Sequence, residues 1–187
     1  MTLIYNEQEL ISECLAQNRK AQEKLYQLHS RKMYAVAMRY AHCPEKAADI
    51  LQESFIKVFR YLEKYTNTGS FEGWIRRIVV NTALDHYRQQ SNLHLVHEYD
   101  ENISASQSYD ILSQMEAENL LTIIQSLPTG YRTVLNLYAI EGFSHQEIAT
   151  QLNISEGTSK SQLSRAKNLL KQLIENQQNS DNETALA

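Results

Sequence analysis

The stretch 144–173, SHQEIATQLNISEGTSKSQLSRAKNLLKQL, restricts the possible folds more than any other part of the chain. Ser144 followed three residues later by Glu147 is the pattern of a capping box, in which hydroxyl and carboxylate satisfy backbone N–H groups at a helix start. A short helix holding Ile148, Ala149 and Leu152 follows. Asn153, Ile154 and Ser155 then make a three-residue turn, and Ser155 can cap a second helix from Glu156. A short helix, a tight turn and a longer helix form the helix-turn-helix outline. At about 100° per residue, Leu163, Ala166, Leu170 and Leu173 fall on one side of the second helix, and Lys160, Ser161, Ser164 and Arg165 on the other. Two cations and two small hydroxyls on a free face suit phosphates, a guanine edge and close approach to a groove. The same pattern also describes the solvated face of an ordinary amphipathic helix.

The rest of the chain is also helical in pattern. Five Gly and two Pro in 187 residues are too few for the turns of a sandwich or barrel, and strand-like runs are scarce, so the expected class is all-α. Asn6 with Glu9 suggests a capped first helix ending near Ala16, and a second is predicted from about Lys20 to Ala41. Pro44 suits the first turn of a third, reaching about Tyr61. Residues 64–70 read as a turn-rich loop, and a fourth helix is predicted over 71–88. The polar, acidic run after it loses helical periodicity, and a second helical block follows from about Leu112. The expectation is two small helical domains, 1–92 and 112–176, joined by a flexible acidic linker over 93–111, with a disordered tail over 177–187. Such a layout suits partners that present two separated sites.

The net charge of −4 at first argues against a nucleic-acid partner, but its distribution does not. Residues 1–92 carry 13 Lys/Arg against 10 Asp/Glu, whereas 93–118 carry none against six. Two mildly basic blocks therefore flank an acidic connector. No apolar run reaches the ~18 residues of a membrane span, and the first ten residues lack the start of a secretory signal. Cys14 and Cys43 have no metal or redox spacing and read as reduced thiols, so the chain is expected in the cytoplasm without direct membrane insertion. His94 and His97 lack further ligands, and no metal or cofactor is expected. There is no phosphate-cradling glycine loop, nucleophile motif or HExxH, so the chain does not read as an enzyme. The 11 Tyr lie scattered through apolar helical positions, unlike an RNA-stacking platform.

The segment 127–167, LPTGYRTVLNLYAIEGFSHQEIATQLNISEGTSKSQLSRAK, closely resembles the C-terminal domain of extracytoplasmic-function sigma factors in the sigma-70 family. The Leu-Pro opening, the Glu141-Gly142 break, the Glu147-Ile148-Ala149 triplet and the Glu156-Gly157-Thr158 helix start fall in register. The resemblance implies binding of the minus-thirty-five promoter element, with the reading residues at Lys160, Ser161, Ser164 and Arg165. Two positions depart from the family: Ser159 stands where many members have an apolar residue, and Gln162 replaces a frequent Arg. Ser159 points to the core side by angle, where its hydroxyl is expected to bond back to the helix backbone.

Residues 49–57, DILQESFIK, resemble the family helix that docks on core RNA polymerase, which implies Asp49, Gln52 and Glu53 as contacts. They share one helical face by spacing. Residues 71–81, FEGWIRRIVVN, with Asp85 and Arg88, resemble the minus-ten segment. By that resemblance the loop at 64–70, including Lys64 and Asn67, and Asn81 build a pocket for an unstacked base, while Arg76, Arg77 and Arg88 hold the strand. Trp74, Phe55 and Phe59 are expected in the core, and Asp85 is expected to pair with Arg88. The resemblance further implies an anti-sigma factor as a regulatory partner. A different class, a helix-turn-helix repressor or activator with an effector-binding N-terminal domain, predicts a ligand cavity and a dimer seam. Residues 1–92 mark no such seam.

Overall fold

A computed structural model describes residues 6–94 and 116–185, with side chains for 6–89 and 121–176. Among the described residues every regular element is helical: α1 Glu7–Leu15, α2 Arg19–Tyr40, α3 Pro44–Tyr61, α4 Phe71–His94, α5 Glu116–Ser126, α6 Thr129–Leu135, α7 His145–Leu152 and α8 Glu156–Ala185. The chain forms two compact units, Met1–His86 and Tyr87–Ala187. α4 continues to His94, and residues 95–111 of the expected linker lie outside the described residues. Among the described residues no helix is long and apolar enough to cross a membrane.

In the first unit, local signals set the helix ends. The Asn6 side chain accepts from the Gln8 N–H and caps α1, without the Glu9 partner that the sequence suggests. Gln17 turns through a left-handed conformation (φ 61°), and the Asn18 side chain then caps α2 through the N–H groups of Lys20 and Ala21. Pro44 opens α3 at its first turn, where a missing N–H costs nothing. The buried side of α3 is Ala47, Ile50, Leu51, Ser54, Phe55 and Val58, an i, i+3, i+4, i+7 stripe. It packs chiefly on α2. Ser54, fully buried, donates to the Ile50 carbonyl at 2.6 Å, so its hydroxyl is satisfied within the helix. Phe71, Ile75, Val79, Val80, Ala83 and Leu84 line the buried side of α4. Burial of each large apolar side chain contributes roughly 1.5–3 kcal/mol.

In the second unit, Leu127-Pro128 ends α5, since the residue before proline avoids helical dihedrals. The turn to α6 is held from inside. Arg132 is 1% exposed, and its guanidinium donates to the carbonyls of Gln125 at 2.7 Å and Leu127 at 3.3 Å. Burial pulls its pKa down to about 10, so it stays charged at neutral pH. Five residues of wider π-helical winding, Asn136–Ile140, follow α6, and Gly142 (φ 78°) reverses the chain. The Ser144–Glu147 capping box then starts α7: Ser144 N–H donates to the Glu147 carboxylate at 2.8 Å, and Glu147 N–H to the Ser144 hydroxyl at 3.3 Å. Asn153 closes α7 in the left-handed region (φ 55°), a conformation Asn tolerates better than most residues. α8 packs on α6 and α7 and runs on to Ala185, through the stretch expected as a disordered tail. That stretch has no Gly or Pro, and each added residue gains one backbone bond without a new nucleus.

Arg132→Ala strands two carbonyls at the α5–α6 turn. It is expected to destabilise the second unit by about 2–4 kcal/mol, measured as a lower urea midpoint, and an unchanged midpoint would remove Arg132 from this role.

Candidate nucleic-acid interface

The helix-turn-helix is built as its sequence reads. The Ser155 hydroxyl accepts from the Thr158 N–H at 2.9 Å and caps α8. Leu163 and Ala166 are buried, while Lys160, Ser161, Ser164 and Arg165 are exposed together on the opposite face. Three of the four polar heads also have neighbours within the unit. Lys160 pairs with Glu156 one turn back at 2.6 Å, and Arg165 lies 3.4 Å from the Tyr131 hydroxyl. The Ser161 hydroxyl donates to the Thr158 carbonyl at 3.0 Å. An exposed ion pair of this kind is weak in water, so Lys160 can exchange Glu156 for a phosphate at small cost.

The two departures from the family pattern resolve differently. Gln162 is half-buried and turns back to α6, where a Cβ added to Gly130 would lie 3.3 Å from its amide nitrogen. It packs within the unit instead of extending the basic face. Ser159 is fully buried, and its hydroxyl shares a hydrogen bond with His145 Nδ1 at 2.9 Å. The bond expected to the helix backbone goes instead to His145, the first residue of α7.

In the first unit, a single 3₁₀ turn, Leu62–Lys64, leads into a tight loop. The Tyr65 hydroxyl donates to the Gly69 carbonyl at 2.9 Å, Thr66 and Thr68 share a bond at 2.9 Å, and Asn67 and Gly69 both take positive φ. This leaves Asn67 and Lys64 exposed, with the Lys64 ammonium 4.9 Å over the Tyr61 ring. Behind the loop Tyr65, Phe71 and Trp74 form an aromatic cluster, with centroids 5.0, 5.5 and 5.7 Å apart. Phe71 is buried, but Trp74 is half-buried, so the loop rests on a partly open aromatic shelf and not on a sealed core. Phe55 is buried and Phe59 half-buried. Along α4, Asn81, Arg77 and Arg88 are exposed and Arg76 half-buried. Glu72, in the first turn, pairs with Lys32 of α2 at 2.7 Å.

Asp49 and Gln52 are exposed on α3, and Glu53 is half-buried. Asp49 pairs with Lys46 at 3.5 Å. Glu53 belongs to a network the sequence does not announce. It accepts from Lys57 at 2.8 Å and contacts His86 of α4 at 2.8 Å. Lys57 in turn donates to Asp85 at 3.1 Å and to the buried Thr82 hydroxyl at 3.2 Å. Asp85 thus takes a bond from α3. Hydrogen bonds from Lys57 and then His86 hold the Glu53 carboxyl below its usual range. Burial works against the Lys57 charge, but its bonds to Glu53 and Asp85 outweigh that and keep its pKa raised.

Two family models match the two units. The Sigma-70 region 2 model covers residues 25–93, and the Sigma-70, region 4 model covers 117–170, together well over half of the chain. The chain belongs to the sigma-70 family, in its extracytoplasmic-function (ECF) group. It is 33% identical over 159 residues to the ECF RNA polymerase sigma factor SigE of Mycolicibacterium smegmatis, covering 81% of this chain and 61% of that protein's length. It is 28% identical over 182 residues to the RNA polymerase sigma-H factor of Pseudomonas aeruginosa, covering 90% of this chain and 94% of that protein. Among solved structures, the sigma factor RpoE of Bartonella quintana, in complex with the anti-sigma factor NepR, covers 82% of this chain and 96% of its own. That match has 20% identity and a TM-score of 0.49.

Within this sigma-70 family chain, region 2 takes in most of α2, α3, the 65–70 loop and most of α4, and region 4 takes in the helix-turn-helix. One exposed residue escapes a reading based on polar spacing. Ile56, 58% exposed, lies on the same stripe of α3 as Asp49, Gln52 and Glu53. An exposed isoleucine seven residues after Asp49 was the available signal.

The lowered Glu53 carboxyl stabilises the folded unit above the ordinary carboxylate range, and this contribution is lost as pH falls through the lowered value. Glu53→Gln is therefore expected to make the acid limb of thermal stability shallower from about pH 4.5 downward. Superimposable melting curves for variant and parent across that range would contradict the network.

Proposed function

We propose that this sigma-70 family chain directs core RNA polymerase to specific promoters for the initiation of transcription. The second unit reads the duplex minus-thirty-five element through Lys160, Ser161, Ser164 and Arg165. The first unit docks on core RNA polymerase through Asp49, Gln52 and Glu53, and together with the continuation of α4 captures the melted minus-ten strand with Lys64, Asn67, Arg76, Arg77, Asn81 and Arg88. RNA synthesis belongs to the polymerase, and the chain contributes binding without chemistry of its own. It works in the cytoplasm, where promoter DNA lies, and an anti-sigma factor holds it inactive by covering these surfaces.

The observation that carries this reading is the exposed polar face of α8, capped at Ser155 and presented by a tight turn after α7. In a helix-turn-helix the N-terminal part of the second helix meets the base edges. Lys57 and His86 each hold one oxygen of the Glu53 carboxylate, so Glu53 reaches the polymerase only with the lone pairs these two bonds leave. It therefore contributes to docking together with the exposed Asp49 and Gln52. Binding to promoter DNA without polymerase is weak, because each unit offers few phosphate contacts.

Run-off transcription with purified core polymerase on a promoter library tests this. Template-specific transcripts are expected only when the chain is added. Arg165→Ala is expected to cost about 1–3 kcal/mol in promoter binding and to relax preference at one position. No template-specific transcript from folded protein would overturn the function, and an unchanged base preference in Arg165→Ala would overturn the assignment of the reading face.

A further inference from the structure

The helix-turn-helix contains a polar contact where burial favours an apolar one. Ser159 is 0% exposed, and its hydroxyl shares a hydrogen bond of 2.9 Å with His145 Nδ1. His145 is the first residue of α7, directly after the capping serine, and Ser159 lies in the first turn of α8, directly before Lys160 and Ser161. The imidazole is itself held from another side. It stacks on Tyr138 at 4.6 Å with the rings 23° apart, and Lys167 sits 5.8 Å over the same tyrosine ring. Tyr138 belongs to the π-helical segment after α6. One short chain of contacts therefore joins the π-helical segment, the start of α7 and the start of α8.

A buried hydroxyl with no partner is costly, and so is a directed hydrogen bond held at the wrong length. Apolar packing at this point permits small sliding of α8 over α7, whereas the bond defines one separation and one rotation. The residues nearest the bond on α8 are those whose seating in a groove decides which base edges they meet. Ser144 and Glu147 fix the start of α7 on one side of His145, and Ser155 fixes the start of α8 on the other, so the bond lies between two capped helix ends.

We propose that His145 and Ser159 act as a single positioning unit that sets how the first turn of α8 seats on the upstream element, and so tunes which sequences Lys160 and Ser161 favour. The proposal rests on the reading that the α8 face meets promoter DNA, and it assigns specificity to two residues that make no contact with a base.

The test uses the full chain with core RNA polymerase on a library randomised across the upstream element, with thermal unfolding recorded for each variant. Ser159→Val and His145→Phe remove the bond, the latter keeping a ring on Tyr138, and His145→Asn keeps a polar atom near the Nδ1 position. Ser159→Ala repeats the loss with a smaller side chain should Ser159→Val unfold the unit. Each bond-breaking variant is expected to lower yield from parent-preferred sequences by about two- to tenfold relative to other sequences. His145→Asn restores the parent preference, and His145→Phe with Ser159→Val matches either single change instead of compounding them. A uniform loss across all sequences, or the parent preference in every folded variant, overturns the proposal. Arg165→Ala in the same library separates the two levels. If it alters preference while the pair does not, only the positioning role fails; if neither alters preference, the α8 face does not read DNA and both fail.

Discussion

Lys57 holds the two working helices of the first unit in register. Its ammonium reaches from α3 to Asp85 and Thr82 of α4 while retaining Glu53 on its own helix, and His86 of α4 closes the ring on Glu53. Apolar packing resists separation of two helices but only weakly resists sliding along their ridges. A half-buried set of charges with defined donors and acceptors resists sliding, because any shift strands a charge in a poorly solvated place. The candidate polymerase-docking stripe, Asp49, Gln52 and Ile56, lies on α3, and the candidate strand-holding residues Arg77 and Asn81 lie on α4. Their relative placement depends on this tie.

The second unit solves a similar problem with backbone groups. Arg132 binds two carbonyls at the α5–α6 turn from inside the core, the π-helical winding and Gly142 redirect the chain, and the capping box starts α7 at a defined residue. α8 then leaves the turn with the Thr158 N–H already satisfied by the Ser155 hydroxyl. None of these groups needs to touch DNA. Together they fix the direction from which Lys160, Ser161, Ser164 and Arg165 are presented.

Much of this was legible in the sequence because it is local. Pro44, Ser144 with Glu147, and Ser155 mark helix starts within four residues of themselves, and the 3.6-residue period alone separates Leu163 and Ala166 from Lys160 and Arg165. What was not legible depends on partners distant along the chain. Glu53 and His86 stand 33 positions apart, and no spacing rule links them. Ser159 points inward by angle, but whether its hydroxyl turns to the backbone or to His145 depends on how α7 crosses α8. Trp74 was expected in the core and is half-buried, its ring 5.5 Å from that of Tyr65 in the preceding loop. The far ends of α4 and α8 extend beyond the pattern because no Gly or Pro stops them.

In the proposed function, the chain and core RNA polymerase open promoter DNA together, with neither sufficient alone. Permanganate reactivity of minus-ten thymines on a linear duplex promoter measures this directly. Reactive thymines in the presence of both proteins, and in neither separate control, are the predicted result. A duplex that stays unreactive while the chain is demonstrably bound to the polymerase, or occupancy of a palindromic site by the chain alone, contradicts the account.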